Sequence, residues 1–367
     1  MAQPELSLSG VSMNNSDPAF ELGMEVSTAT TSMTMIDDND GVQRVEATTE
    51  LKLGDEGVFV DVEKSRASRE DGEDRPQLIE LPYSLRVRKL KIAIIVLMVS
   101  LDGFLLPTFI FYILKYAAHV SDKRNVSITT AAFGFLSLIQ YVLRIYRLLK
   151  PNSTYLPLHS PHRWYLDFYQ FQFTLGFILI TLIFTLALTD SQGHVIVRNT
   201  SLAPCILLLQ CGPQFLVSCV AYKQKWVNKF RFSSSLAGEQ AVPAVFTIVE
   251  DVIGVDGRGG GKGGFRELWK GRYMQSLRFR EMVFKQTVFW GVGAIVGGAV
   301  TLAVVLTPAV SEYVAYGFGW CFPFTLSAFM IGITIKWVQK DLAKEQEEWD
   351  TADVSVIRGY QLQPVVP

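Results

Sequence analysis

Apolar and polar residues are segregated along this chain, and the apolar ones are concentrated in its second part. Six mostly apolar stretches occupy about residues 92–114, 128–148, 166–189, 202–222, 287–307 and 313–335. A helix of about 20 apolar residues spans the hydrocarbon core of a bilayer, so each stretch predicts a transmembrane helix. The second is the weakest, because Gln140, Arg144 and Arg147 lie near its end. The predicted fold class is an all-α membrane protein, a six-helix transmembrane bundle.

The polar segments divide the chain into five parts. Residues 1–80 are rich in Ser, Thr, Asp, Glu and Gly, and they hold 18 acidic and 6 basic residues. Such a composition buries too little apolar surface to fold, so we expect a disordered acidic tail there. Transmembrane helices 1–4 follow within residues 81–222, a polar loop within 223–286, helices 5 and 6 within 287–335, and a polar tail within 336–367.

Basic residues near the helix ends predict the orientation of the bundle. They cluster before the first helix, after the second, at the start of residues 223–286 and after the sixth, whereas the other connections carry few. Because cytosolic loops are enriched in Lys and Arg, we expect both termini and the 223–286 loop in the cytosol. This predicts a multi-pass protein of the plasma membrane or an endomembrane. Asn125 and Asn199 lie in sequons on the opposite side and are candidate glycosylation sites.

Polar side chains inside the predicted helices form a candidate intramembrane site. Asp102 lies within helix 1, where a carboxyl group is costly. Counted from the cytosolic helix ends, Gln140, Gln172 and Gln214 lie at a similar level, within a layer about 5 Å thick. Two interpretations stay open. One is a proton or solute path that uses Asp102, and the other is hydrogen bonding between helices.

Small residues in helix 5 predict close helix packing. Gly293 and Gly297 form a GxxxG pair, and Ala294 with Gly298 repeats the spacing. Such residues let helix backbones approach closely. The surface therefore packs either within the bundle or between protomers, and we expect the former.

The long cytosolic loop contains 12 basic and 6 acidic residues and two amphipathic stretches. In the first, apolar residues recur at helical spacing from Val242 to Ile253. In the second, Phe265, Leu268, Trp269, Tyr273 and Leu277 form one face, with basic residues around it. A basic helix with aromatic residues opposite suits an anionic cytosolic leaflet. The candidate lipid-surface contacts are Arg266, Lys270, Arg272, Arg278 and Arg280.

Motifs for enzyme chemistry are missing from the sequence. The glycine-rich residues 254–264 resemble a phosphate-binding loop, but Lys262 is followed by Gly263 rather than Ser or Thr, and no strand precedes them. The four cysteines form no CxxC pair, and neither GxSxG nor HExxH occurs. We therefore predict no catalytic, cofactor-binding or metal-binding residues, no cofactor and no nucleic-acid partner.

Several segments resemble a family of fungal multi-pass integral membrane proteins that has no assigned activity. They are residues 243–257 (PAVFTIVEDVIGVDG), 265–273 (FRELWKGRY), 288–298 (VFWGVGAIVGG), 316–324 (YGFGWCFPF) and 337–344 (WVQKDLAK). The resemblance covers about residues 85–345 and leaves the acidic tail out. It implies a multi-pass topology and a fungal origin, and it carries over no catalytic residues.

The leading functional hypothesis is a non-enzymatic integral membrane protein whose basic cytosolic loop binds anionic lipids or a cytosolic protein. The acidic tail is expected on the same side, which suggests that it shields this loop. The alternative is a small-solute or proton transporter that uses Asp102. A membrane enzyme ranks third, because it needs a convergent set of acid, base or metal groups.

Overall fold

The computed structural model forms two compact units, Met1–Arg75 and Pro76–Pro367. It describes residues 29–37, 43–51, 77–81, 103, 105–150, 153–162, 164–188, 196–257 and 264–351.

The described residues of the first unit, 29–37 and 43–51, form an antiparallel strand pair. Strand β1 (Ala29–Asp37) pairs with β2 (Gln43–Leu51), and Ala29 lies opposite Leu51. Both strands are rich in Thr and carry Ile or Val, which favour extended backbone. The composition of the acidic tail favours disorder, and the strands at residues 29–37 and 43–51 differ from that expectation.

The described part of the second unit is built from helices. The long ones are α2 (Asp122–Leu149), α3 (Phe168–Leu188), α5 (Ala203–Lys223), α8 (Leu277–Leu306) and α9 (Glu312–Thr351). The short ones are α1 (Leu106–Tyr112), which a π-helical turn continues through Ile113–Ala117, α4 (Val197–Thr200), α6 (Ala244–Val255) and α7 (Phe265–Gln275).

Five of these helices, α2, α3, α5, α8 and α9, are long and apolar enough to cross a membrane. They correspond to predicted helices 2–6. Helix α1 with its π turn is apolar but shorter, and it covers the second half of predicted helix 1. Residues 92–102 of that stretch lie outside the described residues. Five membrane-length helices are thus present, while the sixth stays a prediction.

Helices α8 and α9 are longer than the apolar stretches predict. Helix α8 starts ten residues before residue 287, because the Ser276 hydroxyl caps it by accepting a hydrogen bond of 3.1 Å from the Phe279 amide. Helix α9 continues to Thr351, where Glu345 and Glu348 form ion pairs with Arg272 and Arg278. Both helices therefore extend past the apolar region and take part in a second, polar packing layer.

Glycines bring α5, α8 and α9 into close contact. A methyl group on Gly291 would lie 2.8 Å from Leu216 of α5, and one on Gly298 would lie 2.6 Å from Leu209 of α5. Gly293 and Gly297 instead contact Met330 and Leu326 of α9. The small-residue surface of α8 thus packs within the bundle on two sides, which confirms the expectation for the GxxxG repeat.

An aromatic core lies at the end of the bundle near the start of α2. The ring of Phe111 stacks on Tyr316 at 3.8 Å between centroids, and Trp320 is buried in the same cluster. Asn125 is fully buried here, and its amide nitrogen donates a hydrogen bond of 2.9 Å to the Phe111 carbonyl. Its sequon falls inside α2 because that helix begins at Asp122. Asn125 is therefore not accessible as a glycan acceptor, and that prediction is wrong.

The polar layer at the other end of the bundle is called the cap. It consists of α6, α7, the first turns of α8, the last turns of α9, a hairpin over residues 225–241 and the extended residues 77–81. Its apolar core contains Phe246, Phe265, Trp269, Tyr273 and Phe279. Helices α6 and α7 confirm the two amphipathic helices predicted in the long loop, and their apolar faces pack on each other and on α8.

Candidate functional site

A buried group of carboxylates and arginines lies at the centre of the cap. Arg266 of α7 donates hydrogen bonds from Nη1 to Glu250 Oε1 at 2.9 Å and to Asp251 Oδ1 at 2.7 Å. Both acids lie on α6 and are 0% exposed. Ion pairs in such surroundings are shielded from water, so each partner depends on the other for compensation. We call Arg144, Asp167, Glu250, Asp251 and Arg266 the acid–arginine cluster.

Arg144 ties the end of α2 to the same cluster. Its Nη2 donates to Asp167 Oδ2 at 2.5 Å and to the Asp251 carbonyl oxygen at 3.3 Å. Its Nη1 donates to Asp256, just after α6. Arg144, which lowers the hydrophobicity of predicted helix 2, thus forms ion pairs with Asp167 and Asp256 near the end of that helix. Four helices, α2, α3, α6 and α7, converge on these side chains.

The cluster holds more acidic than basic groups, which changes the protonation of its carboxyls. Burial, followed by the nearby Asp251 carboxylate, raises the pKa of Asp167 to about 7 from 3.8, although Arg144 opposes the rise. The same two causes raise the pKa of Glu250 to about 7 from 4.5. Burial lowers the pKa of Arg266, but the Asp251 and Glu250 carboxylates outweigh it and raise that pKa overall.

The hairpin of residues 225–241 is attached to this cluster by its serine-rich tip. The Ser233 hydroxyl donates to Asp251 Oδ2 at 2.6 Å, and the Ser234 hydroxyl donates to Glu250. Those hydroxyls also accept hydrogen bonds of 2.9 Å from the backbone amides of Phe168 and Leu158. All four links are buried or partly buried, so they fix the position of the hairpin.

Backbone hydrogen bonds hold the two arms of the hairpin together. The Ala241 amide donates to the Trp226 carbonyl at 2.8 Å, and the Asn228 amide donates to the Glu239 carbonyl at 2.9 Å. Gly238 adopts a φ of 92°, which disfavours residues with a side chain. Lys270 of α7 adds an ion pair of 3.0 Å to Glu239. The hairpin is thus a preformed part of the cap.

The first arm of the hairpin carries exposed aromatic and basic side chains. Phe230 is 74% exposed and Trp226 is 51% exposed. Lys225 and Lys229 are exposed on the same arm, and Lys223 is exposed at the end of α5. We call these residues the aromatic–basic patch: Lys223, Lys225, Trp226, Lys229 and Phe230.

The patch lies near the last residue of α5 and the first residue of α3, two membrane-length helices. Helix α5 ends at Lys223, and the Trp226 amide donates to the Ala221 carbonyl at 2.9 Å. Helix α3 begins at Phe168, whose ring lies 5.4 Å from that of Phe232 in the hairpin. Aromatic and basic residues are enriched at this depth, the boundary between lipid and water.

The structure corrects the predicted lipid contacts of α7. Arg266 and Arg272 are buried, the first in the acid–arginine cluster and the second in an ion pair of 2.8 Å with Glu345. Lys270 pairs with Glu239, Arg278 pairs with Glu348, and Arg280 donates to the Met274 carbonyl. Three basic residues of α7, Arg266, Lys270 and Arg272, therefore pair with acidic groups of the cap, whereas Arg278 and Arg280 lie at the start of α8. Burial removes Arg266 and Arg272 as surface contacts. Sequence spacing did not single out the lysines and aromatic residues of the hairpin.

Three glutamines of α3 and α5, Gln172, Gln210 and Gln214, form a hydrogen-bonded set. Gln172 Nε2 donates to Gln214 Oε1 at 2.6 Å, so this predicted pair is brought together. Gln210, which the depth count missed, donates to Gln172 Oε1 at 2.9 Å. It lies one helical turn before Gln214, a spacing that the sequence shows. These contacts join α3 to α5 and agree with the second interpretation, hydrogen bonding between helices.

The rest of the predicted intramembrane site is less well defined. Gln140 lies on α2, and Asp102 lies outside the described residues. The transporter hypothesis depends on Asp102 and stays a prediction. Asn199 is partly buried in α4, and its glycosylation stays a prediction too. Over the described ranges, no three His, Cys, Asp or Glu residues form a group that could hold a metal ion.

Comparison with known proteins identifies a family but no activity. Neither a curated protein nor a solved structure matches the chain. A family model described as a domain of unknown function, DUF8766, matches residues 64–349 and so spans bundle and cap alike. Because this match covers most of the sequence, the chain belongs to the DUF8766 family.

Proposed function

We propose that this protein is a non-enzymatic, six-span membrane protein with both termini in the cytosol, and that its cap binds anionic lipids of the cytosolic leaflet. The observation that carries the proposal is the aromatic–basic patch, an exposed group of three lysines and two aromatic residues directly after a membrane-length helix. It replaces α7 as the lipid-binding element.

The chemistry of the patch suits an anionic membrane surface. A lysine near such a leaflet contributes about 1 kcal/mol, and Trp and Phe bury apolar surface at the headgroup level. The hairpin is already ordered by Ser233 and Ser234, so binding costs little conformational entropy. The acid–arginine cluster thereby serves as the support of the lipid-binding hairpin.

The alternation of basic residues supports the proposed orientation. Lys223 ends α5, and Lys225, Lys229 and Arg231 follow it. Lys336, Lys340 and Lys344 lie along the polar part of α9, on the cap side. The opposite end carries Lys115 in the π turn after α1 and Lys123 and Arg124 in the first turn of α2. The greater basic charge on the cap side favours the cytosol for the cap. An apolar first helix that begins near residue 92 completes six spans.

The test measures lipid selectivity of the full chain in nanodiscs that contain phosphatidylcholine and spin-labelled phosphatidylserine. The double variant Lys225→Gln/Lys229→Gln is expected to lose phosphatidylserine selectivity about 30-fold, because two lysine contributions of about 1 kcal/mol each disappear. Lys123→Gln/Arg124→Gln removes the same charge from the opposite end and is expected to change the selectivity for cytosolic-face lipid little. Equal selectivity in wild type and the hairpin variant would refute the proposal.

A further inference from the structure

An extended segment, residues 77–81, lies against α7 in the cap. The Ile79 amide donates a hydrogen bond of 2.9 Å to Gln275 Oε1, and Gln275 Nε2 donates one of 2.9 Å to the Gln77 carbonyl. Arg272 Nη1 donates one of 2.5 Å to the Ile79 carbonyl. Two side chains of α7, Arg272 and Gln275, thus make three hydrogen bonds to the backbone of the segment.

Apolar side chains of the segment fill separate positions along the groove. Leu78 is buried against Trp349 of α9. Ile79 lies over Gly271, where an added methyl group would come within 2.8 Å of its Cδ1. Leu81 packs against the apolar core of the cap. Gln77 and Glu80 are exposed, so the groove selects apolar residues at three of five positions.

The groove is formed by side chains that have partners of their own. Arg272 is oriented by Glu345, through hydrogen bonds of 3.2 Å from Nε and 2.8 Å from Nη2. This fork holds the Arg272 guanidinium in place without any contribution from the segment. Backbone hydrogen bonds combined with side-chain positions are the mode by which proteins bind extended peptides.

The sequence of the segment favours an extended shape before it binds. Pro82 follows it directly, and a proline pushes the preceding residue, here Leu81, towards extended backbone. Five residues also make a small contact compared with the roughly 800 Å² per partner of a stable protein interface. A contact this small suits reversible docking.

We propose that the groove formed by α7 and the last turns of α9 is a peptide-binding site, and that residues 77–81 are its exchangeable resident ligand. Its ligand class is an extended peptide with apolar side chains at the places of Leu78, Ile79 and Leu81. The inference does not depend on lipid binding, since it uses neither the hairpin nor the orientation of the bundle.

The experiment cuts the folded protein after residues 77–81, so that this segment becomes part of a separate fragment. A protease site is inserted after Tyr83 of the full chain, the purified protein is cut, and retention of the N-terminal fragment is measured. A synthetic peptide of residues 76–82 is expected to release the fragment in a concentration-dependent way, whereas a scrambled peptide of the same composition is not. If the fragment leaves without competitor, the labelled peptide is expected to bind the cut protein by fluorescence anisotropy.

Two matched variants show whether the groove, rather than another part of the protein, retains the N-terminal fragment. Gln275→Leu removes both amide hydrogen bonds and is expected to speed fragment release about tenfold. Gln346→Leu makes the same change on the exposed face of α9 and is expected to leave release unchanged. A fragment that stays bound against excess peptide, a cut protein that binds no peptide, or equal release from the two variants overturns the proposal.

Discussion

Arg266 Nη1 lies 2.7 Å from Asp251 Oδ1, and this buried ion pair joins α7 to α6 across a glycine-rich connection. The same nitrogen bonds Glu250 at 2.9 Å. Asp251 also accepts the Ser233 hydroxyl of the hairpin. One arginine therefore controls both the docking of α7 and, through two acids, the position of the aromatic–basic patch.

Replacing Arg266 is expected to destabilise the cap strongly. Arg266→Met keeps most of the side-chain volume but leaves Glu250 and Asp251 without their cation, and breaking a buried pair in this way costs about 3–5 kcal/mol. Denaturant unfolding in detergent, followed by tryptophan fluorescence, measures the loss. Arg278→Met, at a partly exposed pair with Glu348, serves as the control and is expected to cost about 1 kcal/mol or less. Equal losses in the two variants would contradict the role of Arg266.

The raised pKa of Glu250 predicts a pH dependence of stability. Its folded pKa is about 7 and its ordinary value is 4.5, so between these values the folded state binds more protons than the unfolded one. The stability that this group contributes is fully present below about pH 4.5 and is lost as pH rises through about 7. Relative to Glu250→Gln, which cannot ionise, the free energy of unfolding of the wild type should fall by about 2–3 kcal/mol from pH 5 to 8.

The same titration has a simple control. Glu347→Gln changes an exposed carboxyl on α9, so its stability should run parallel to that of the wild type over the same pH range. A wild type that stays parallel to Glu250→Gln as well would mean that Glu250 does not change its protonation in this range.

The close contacts of Gly291, which Gly332 lacks, predict that valine at these two positions changes stability differently. Gly291→Val places branched atoms against Leu216 and Phe215 of α5, where even a methyl group would lie 2.8 Å from Leu216. Gly332→Val makes the same change on α9, where no atom lies within 4 Å of the added carbon. We expect Gly291→Val to lower the free energy of unfolding by about 1–3 kcal/mol and Gly332→Val to leave it equal or higher. A similar loss in both variants would contradict the role of close packing at Gly291, because valine favours a helix more than glycine does.

The helices were predictable because membrane spans leave a strong sequence signal. Long apolar stretches predict α2, α3, α5, α8 and α9, and apolar periodicity predicts α6 and α7. The partners of the α7 arginines were not predictable. Arg272 pairs with Glu345, 73 residues away, and Arg266 reaches α6 across a glycine-rich connection. Spacing in a sequence identifies neighbours on one helix, and a basic helix looks the same whether it faces lipid or buried acids.

The strands and the sequons show that composition and short motifs do not report pairing or burial. Composition favoured disorder for residues 1–80, whereas β1 and β2 pair within it, since composition does not report local register. A sequon likewise reports the acceptor residue but not its burial. Asn125 carries one and is fully buried, because α2 starts earlier than its apolar stretch.

Burial of Asn125 predicts two separable results. Asn125→Gln is expected to cause no change in electrophoretic mobility after glycosidase treatment, since the asparagine is already inaccessible. It is expected to lower stability by about 1–3 kcal/mol, because the longer side chain disturbs the hydrogen bond to the Phe111 carbonyl. Asn199→Gln is the comparison, and there we expect loss of one glycan. A glycan on Asn125 would be incompatible with this packing.

The orientation of the bundle is tested by placing single cysteines at its two ends. Lys229→Cys lies on the exposed hairpin of the cap, and Lys123→Cys lies on the exposed start of α2. If the cap is cytosolic, a membrane-impermeant maleimide added to intact cells should label Lys123→Cys when the protein is at the cell surface, and Lys229→Cys only after permeabilisation. For protein in internal membranes, sealed vesicles with the cytosolic face outward should give the reverse pattern. The four native cysteines are buried or partly buried, and the unsubstituted chain supplies the background. Three spans, α2, α3 and α5, lie between the two sites and place them on opposite sides. Labelling of both cysteines from one side would require an even number of spans between them and would contradict the six-span arrangement.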